Sequence, residues 1–232
     1  HHEFCTIGLN ANALDCALPK TPVRWKTFFP LVDTRFYQPR PQPSQPKLTT
    51  VGQWYWGGAV EVDGDFPDLS KRHAFEPYLD LPRRLPKIKF ELAMNISADD
   101  PARARLDSLG WRLADPHRVV RSARLFRRYL TSASGEFTAI KGVDASWQTG
   151  WVSDRAAAFL ALGRPVVTEE TGASKYLPAK SGFQWVEKGN IDSAVEALET
   201  VVRDWRRLSR EARACAVEFF DSIVNLRRIL DL

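Results

Sequence analysis

From residue 48 onward, short apolar or alternating runs take turns with segments of helical period, and that alternation leaves few folds open. A strand is expected at 48–53. Asp68 opens a helix that ends before Pro82. Residues 87–94 alternate charged and apolar side chains, as a strand does. Asp99-Asp100-Pro101 puts an acidic cap ahead of a first-turn proline, so a helix starts there and stops at Gly110. A short strand is expected at 111–114, and Asp115-Pro116 cap an Arg-rich helix over 117–131. The second half repeats the pattern, with strands at 136–140, 164–168 and 183–186. Ser153 caps a helix of small apolar residues, 156–162, ended by Gly163. Residues 190–203 form an amphipathic helix with Ile191, Ala194, Val195, Leu198 and Val201 or Val202 on one face. Helices at 209–220 and 221–230 finish the chain. Repeated β-α units of this length imply an α/β domain: a mainly parallel, doubly wound sheet with helices on both faces and an all-helical C-terminus.

The domain so defined occupies 48–232. Residues 1–47 read as irregular, punctuated by seven prolines, and 40–47 read as a linker. No stretch reaches 18 uninterrupted apolar residues, so no membrane span is expected, and no leader is visible. Cys5, Cys16 and Cys215 lack metal-ligand spacing and read as free thiols, which points to a reducing, cytoplasmic compartment. The four histidines show no metal spacing either, so no metal is expected. The net charge of +5 is spread along the chain. Its densest cluster, Arg118, Arg121, Arg124, Arg127 and Arg128, reads as a solvated helix face with no motif for reading nucleic acid. The excess suits an anionic small ligand.

Ligands of doubly wound sheets sit at the carboxyl ends of strands, against helix N-termini. Thr149 to Arg155 leave a strand and enter a helix there. Gly150 permits close backbone approach, and the free N–H groups from Ser153 onward suit phosphate. Arg155 adds a bidentate donor, while Asp154 reads as a cap or as a partner of Arg155. A plain capped helix with a surface ion pair is the competing reading. Glu169, Glu170, Thr171 and Gly172 follow a buried strand and are candidates for holding sugar hydroxyls, against a simple acidic loop. Lys141 is a candidate for phosphate or a leaving group. Trp54, Tyr55 and Trp56 suit either core packing or the wall of a base or sugar pocket.

The run from Gly150 to Val167, Gly-Trp-Val-Ser-Asp-Arg-Ala-Ala-Ala-Phe-Leu-Ala-Leu-Gly-Arg-Pro-Val-Val, followed by Glu169-Glu-Thr-Gly172, resembles the donor-binding half of GT-B glycosyltransferases. It is most similar to a bacterial group reading G-W-x-S-D-R…L-A-x-G-R-P-V-V-x-Q-D-T-G. Leu177-Pro178, Gly182-Phe183, Glu218-Phe-Phe-Asp221 and, upstream, Ser134-Gly-Glu-Phe137 and Lys141 continue the likeness. Residues 30–39 look like the segment that enters the C-terminal domain in such enzymes. The resemblance implies a Rossmann-like domain holding a nucleotide-diphosphate sugar as substrate, with no other cofactor. Gly150, Ser153, Asp154, Arg155 and Lys141 would meet the diphosphate. Glu169, Glu170, Thr171 and Gly172 would meet the sugar. It also implies that 1–47 is the tail of an N-terminal domain that supplies the acceptor site, and it identifies no catalytic residue. Two positions depart from the pattern: Ala158 stands where many relatives carry a ribose-binding Glu, and Glu169 where the close group has Gln. A non-catalytic nucleotide-sugar-binding or partner-docking module of the same fold is the alternative.

Overall fold

The structure is a computed structural model of the chain and describes residues 3–58, 61, 64, 66 and 69–230. Its strands are β1 (Phe4–Thr6), β2 (Trp25–Thr27), β3 (Lys47–Gln53), β4 (Lys89–Asn95), β5 (Arg112–Leu113), β6 (Gly135–Thr138), β7 (Val166–Glu169) and β8 (Phe183–Val186). Six of them form one sheet in the order β5-β4-β3-β6-β7-β8, and every pairing in it is parallel. Counted from β3, that is the 3-2-1-4-5-6 order of dinucleotide-binding sheets, with the order reversing between β3 and β6.

The crossovers use helices α1 (Lys71–Phe75), α2 (Leu81–Arg84), α3 (Ala102–Ser108), α4 (Pro116–Val120), α5 (Ala123–Thr131), α6 (Gly142–Ser146) and α7 (Asp154–Ala161), and α8 (Ile191–Arg203) follows the last strand. After them come α9 (Trp205–Cys215), a π-helical turn over Ala216–Phe220, and α10 (Ser222–Leu230). Helices cover both faces of the sheet. Alternate strand residues feed two separate cores: Phe90, Leu92, Phe137 and Val167 pack with Phe75, Trp111 and Leu198 on one face. Ala93 and Val166 pack with Leu130, Phe159 and Phe220 on the other. In α8, Ala194, Leu198 and Val201 are buried at the expected helical spacing.

Four expectations change. The start of the 68–81 helix lies outside the described residues. Its end differs, because α1 gives way to a 3-10 turn at Glu76–Tyr78 and Pro82 opens α2 instead of stopping a helix. The Arg-rich segment is two helices, not one. Ser122 is extended (φ −152°, ψ 156°) and its Oγ accepts from Leu125 N at 3.3 Å, so a cap inside the run restarts the helix. The arginine stripe is broken with it, and Arg127 turns inward, donating to Phe36 O at 2.8 Å with its guanidinium 4.3 Å from the Phe36 ring centre. The helix expected at 209–220 begins earlier, at Trp205, and ends at Cys215. Finally, residues 1–47 carry the parallel pair β1–β2 and are not wholly irregular.

That segment is fastened to the sheet domain. Arg213 Nη1 donates to the carbonyls of Thr34, Tyr37 and Ala161 at 3.1, 3.0 and 2.8 Å. Arg164, fully buried, donates to Arg40 O, Pro41 O and Thr131 O at 2.9, 2.9 and 3.0 Å and lies over the Trp205 ring.

Candidate functional site

The β3/β6 switch point contains a buried polar cluster. Glu136, in β6, is fully buried. Its Oε1 accepts from Thr50 Oγ1 at 2.9 Å and pairs with Arg155 Nε, while Oε2 has no protein partner among the described residues. Arg155 reaches there from the first turn of α7 and also donates to Val51 O at 2.5 Å and Thr138 Oγ1 at 3.4 Å. Lys71, the first residue of α1, is 6% exposed. Its stem lies over Gly52, where a Cβ would come 3.5 Å from Lys71 Cδ. Its Nζ donates to Thr138 Oγ1 at 2.9 Å and Ala139 O at 2.5 Å. Burial first, and the neighbouring Arg155 second, push the Lys71 amine down to about 7.

Sequence reasoning missed Lys71 and Thr138. A single lysine beside Arg72 and His73 has the look of a solvated helix start. Only the parallel alignment of β3 and β6 shows that it points under the switch point.

Around this cluster the structure divides the anticipated residues into two groups. Ser153 caps α7, its Oγ accepting from Ala156 N at 2.9 Å. Ser153, Asp154 and Arg155 line a cavity of about 460 Å³ shared with Val32, Asp33 and Tyr37. Glu169 instead borders a second cavity of about 230 Å³ with Ser70, His73, Pro77, Ile140 and Gly189. Lys141 stands above the switch point with Nζ 5.2 Å from the centre of the Trp56 ring. Trp56 and Tyr55 are exposed there, whereas Trp54 is core. Nearby Asp144 accepts from Thr149 Oγ1 at 3.0 Å, and burial raises its carboxyl above the usual range.

Glu169, the last residue of β7, and Glu170 after it are both engaged by the protein. Glu169 Oε1 accepts from Tyr78 Oη at 2.7 Å and Gly189 N at 2.9 Å, and Oε2 accepts from Ile140 N at 2.7 Å. One carboxylate thereby ties together the segments that follow β6, β7 and β8. Burial and this carboxylate push the Tyr78 phenol up. Glu170 Oε1 accepts from the backbone N–H groups of Thr171, Gly172 and Ser174 at 2.9, 2.6 and 3.4 Å, a small anion nest filled from within. Thr171 is buried, with Oγ1 donating to Trp151 O at 2.9 Å. The close approach that Gly150 permits is taken by the chain itself. At φ +74°, a Cβ there would come 2.4 Å from Asn10 N. Asn10 is fully buried, donates from Nδ2 to Gln148 O at 2.8 Å and accepts from Tyr176 Oη at 2.8 Å. It also borders Gly172.

No group of three or more potential metal ligands occurs among the described residues. No helix of the described residues is long and apolar enough to cross a membrane.

No protein-family model matches the chain, and no curated protein matches it. Solved structures do. TarM of S. aureus superimposes with a TM-score of 0.58 at 14% identity, over 97% of this chain and 44% of TarM. HepE of Anabaena in complex with UDP-glucose gives 0.61 at 12%, over 90% of this chain and 58% of HepE. The C-terminal domain of LpcC, a group 1 family glycosyl transferase from Francisella tularensis, gives 0.53 at 10%, over 80% of this chain and 95% of that domain. The fold is therefore the Rossmann-like α/β fold of GT-B C-terminal domains. The chain spans about half the length of TarM and HepE.

Proposed function

We propose that this chain is the donor-binding portion of a glycosyltransferase, holding a nucleotide-diphosphate sugar at the β3/β6 switch point for transfer to an acceptor bound by a preceding domain. The observation that carries the reading is the charge at that point. Lys71, Arg155 and Lys141 face the two carboxylates of Glu136 and Glu169, with Lys71 and Arg155 converging on Thr138 Oγ1, so one positive charge lacks a counter-ion whenever Lys71 is protonated. HepE, which shares the fold, has been solved with UDP-glucose bound. The diphosphate lies between Lys141 and the α7 start at Ser153, Asp154 and Arg155, with Lys71 beneath, while Gly150, closed off by Asn10, sets the turn that leads into α7. The base enters the cavity beside Ile140, which is of a size for one ring system. The sugar faces the loop of Glu169, Glu170, Thr171 and Gly172. Arg155 and Glu169 act here as positioning residues, since their side chains already hold protein groups.

Thermal stabilisation across UDP, GDP, TDP and ADP, each against its monophosphate, tests the reading. One diphosphate raises the unfolding midpoint and its monophosphate does not, by mass action. Lys141→Ala weakens that diphosphate more than tenfold. Equal shifts for mono- and diphosphate, or none with any nucleotide, overturn it.

The internal engagement of Glu169 and Glu170 favours a second reading, in which the chain binds a nucleotide sugar without transferring it. Turnover by the chain joined to an N-terminal half would decide against that alternative.

A further inference from the structure

We propose that ligand binding at the switch point is coupled to proton uptake by Lys71, the empty protein holding this side chain as a neutral amine and the occupied protein holding it as an ammonium. The inference rests on the donor-site reading and adds to it a pH-dependent control of affinity.

The geometry favours the neutral form when the site is empty. Lys71 Nζ is buried and donates to two neutral acceptors, Thr138 Oγ1 and Ala139 O, which match the two hydrogens of an amine. It has no ion pair among the described residues. The charged groups that face it are Arg155 from α7, Glu136 from β6, Glu169 from the end of β7 and Lys141 from the segment after β6. The two carboxylates act to raise the amine but are largely engaged elsewhere: Glu136 Oε1 pairs with Arg155, and Glu169 accepts from Tyr78, Gly189 and Ile140. Arg155 shares Thr138 Oγ1 with Lys71 and repels a second cation there. Burial and Arg155 together bring the amine down to about 7.

A diphosphate reverses this balance. Its charge, set against the Lys71–Arg155 pair, favours the ammonium and frees a third N–H for a phosphate oxygen. The balance of the step is one proton taken from solvent to Lys71 Nζ for each ligand bound. At pH 8 UDP is itself fully ionised and the empty amine is mostly unprotonated, so with UDP the uptake belongs to the protein.

Two measurements on the chain test it. The first is UDP affinity by calorimetry between pH 7 and 9, in buffers of differing ionisation heat, with pyrophosphate, which still carries a proton at pH 8, used only to detect binding without a base. Wild-type protein loses roughly tenfold in affinity from pH 8 to 9 and takes up close to one proton at pH 8. Lys71→Met binds more weakly, with affinity flat to within about twofold over the same range. Binding by wild type that is flat with pH and takes up no proton overturns the coupling and leaves the donor site standing. Failure of both UDP and pyrophosphate to bind overturns the two together.

The second measurement needs no ligand. A lysine held near 7 when folded and at 10.5 when unfolded binds fewer protons in the native state between those values. Wild-type stability must then rise relative to Lys71→Met from pH 7 toward pH 10. Denaturation curves of the two proteins that stay parallel across this window overturn the neutral amine, and with it the coupling.

Discussion

Arg155 directs its guanidinium at three protein acceptors, on β3 and β6, before any ligand arrives. Its removal therefore acts on folding first. Arg155→Met leaves Glu136 charged and buried, and is expected to cost about 3–5 kcal/mol in urea denaturation. The double variant Arg155→Met, Glu136→Leu should recover most of that loss, because neither charge is then left buried alone. An arginine at this helix start, where a diphosphate contact was anticipated, was legible in the sequence as a residue type. Its partner was not, since Glu136 lies 19 residues upstream on another element and only the β6–α7 packing joins them. Lys71 was still less legible, for a buried lysine and a solvated one look alike in sequence. The capping role of Ser153 was legible, because a cap is a local device whose acceptor and donor are three residues apart.

At the scale of elements, β3 to β8 appear where runs of apolar residues follow helix stops, within a residue or two of expectation. The longest expected helix that failed, 117–131, broke at Ser122, a cap residue hidden by flanking arginines. What holds the carboxyl ends of these strands together is Glu169. It satisfies Ile140 N and Gly189 N, two backbone groups with no strand partner, and buries Tyr78 Oη beside them. Glu169→Ala strands Ile140 N, leaves Gly189 N with only Tyr78 Oη to accept from it and Tyr78 Oη with only Glu187 O, and is expected to destabilise the protein by about 2–3 kcal/mol. Hydrogen exchange should quicken at Ile140 and Gly189 while the interiors of β6 and β7 stay protected. Exchange that rises evenly over the sheet would contradict a tie local to the strand ends. The same tie explains why a Glu follows a buried strand here: it is an acceptor for the fold as well as a neighbour of the cavity.

For the whole molecule, the division at residue 47 seen in composition is not a division in packing. The proline-rich run resembles a free linker by its residues alone. Yet Arg164 and Arg213, both within the sheet domain's sequence, hold its carbonyls from Thr34 to Pro41. Val32 N also accepts a place in the fold by donating to Phe220 O at 2.9 Å. Removing residues 1–46 should leave Arg164 a buried cation with one carbonyl, Thr131 O, in place of three. The shortened chain is expected to lose its cooperative unfolding transition by circular dichroism, whereas an independent 48–232 domain would keep it. The fold class of that domain was legible because β-α alternation is a property of sequence order. The attachment of the first segment was not, because arginine-to-carbonyl bonds across more than 100 residues leave no periodic trace.

The Arg164 clamp also bears on how the protein withstands digestion. Arg40 and Pro41 are exposed at the surface, in a stretch whose composition invites a protease. Cleavage requires the chain to be drawn out into an extended strand, and here its carbonyls are held from below by a side chain that has no solvent to turn to. Pro41 bars trypsin at Arg40 in any case; against other proteases this exposed run is shielded by its own held backbone.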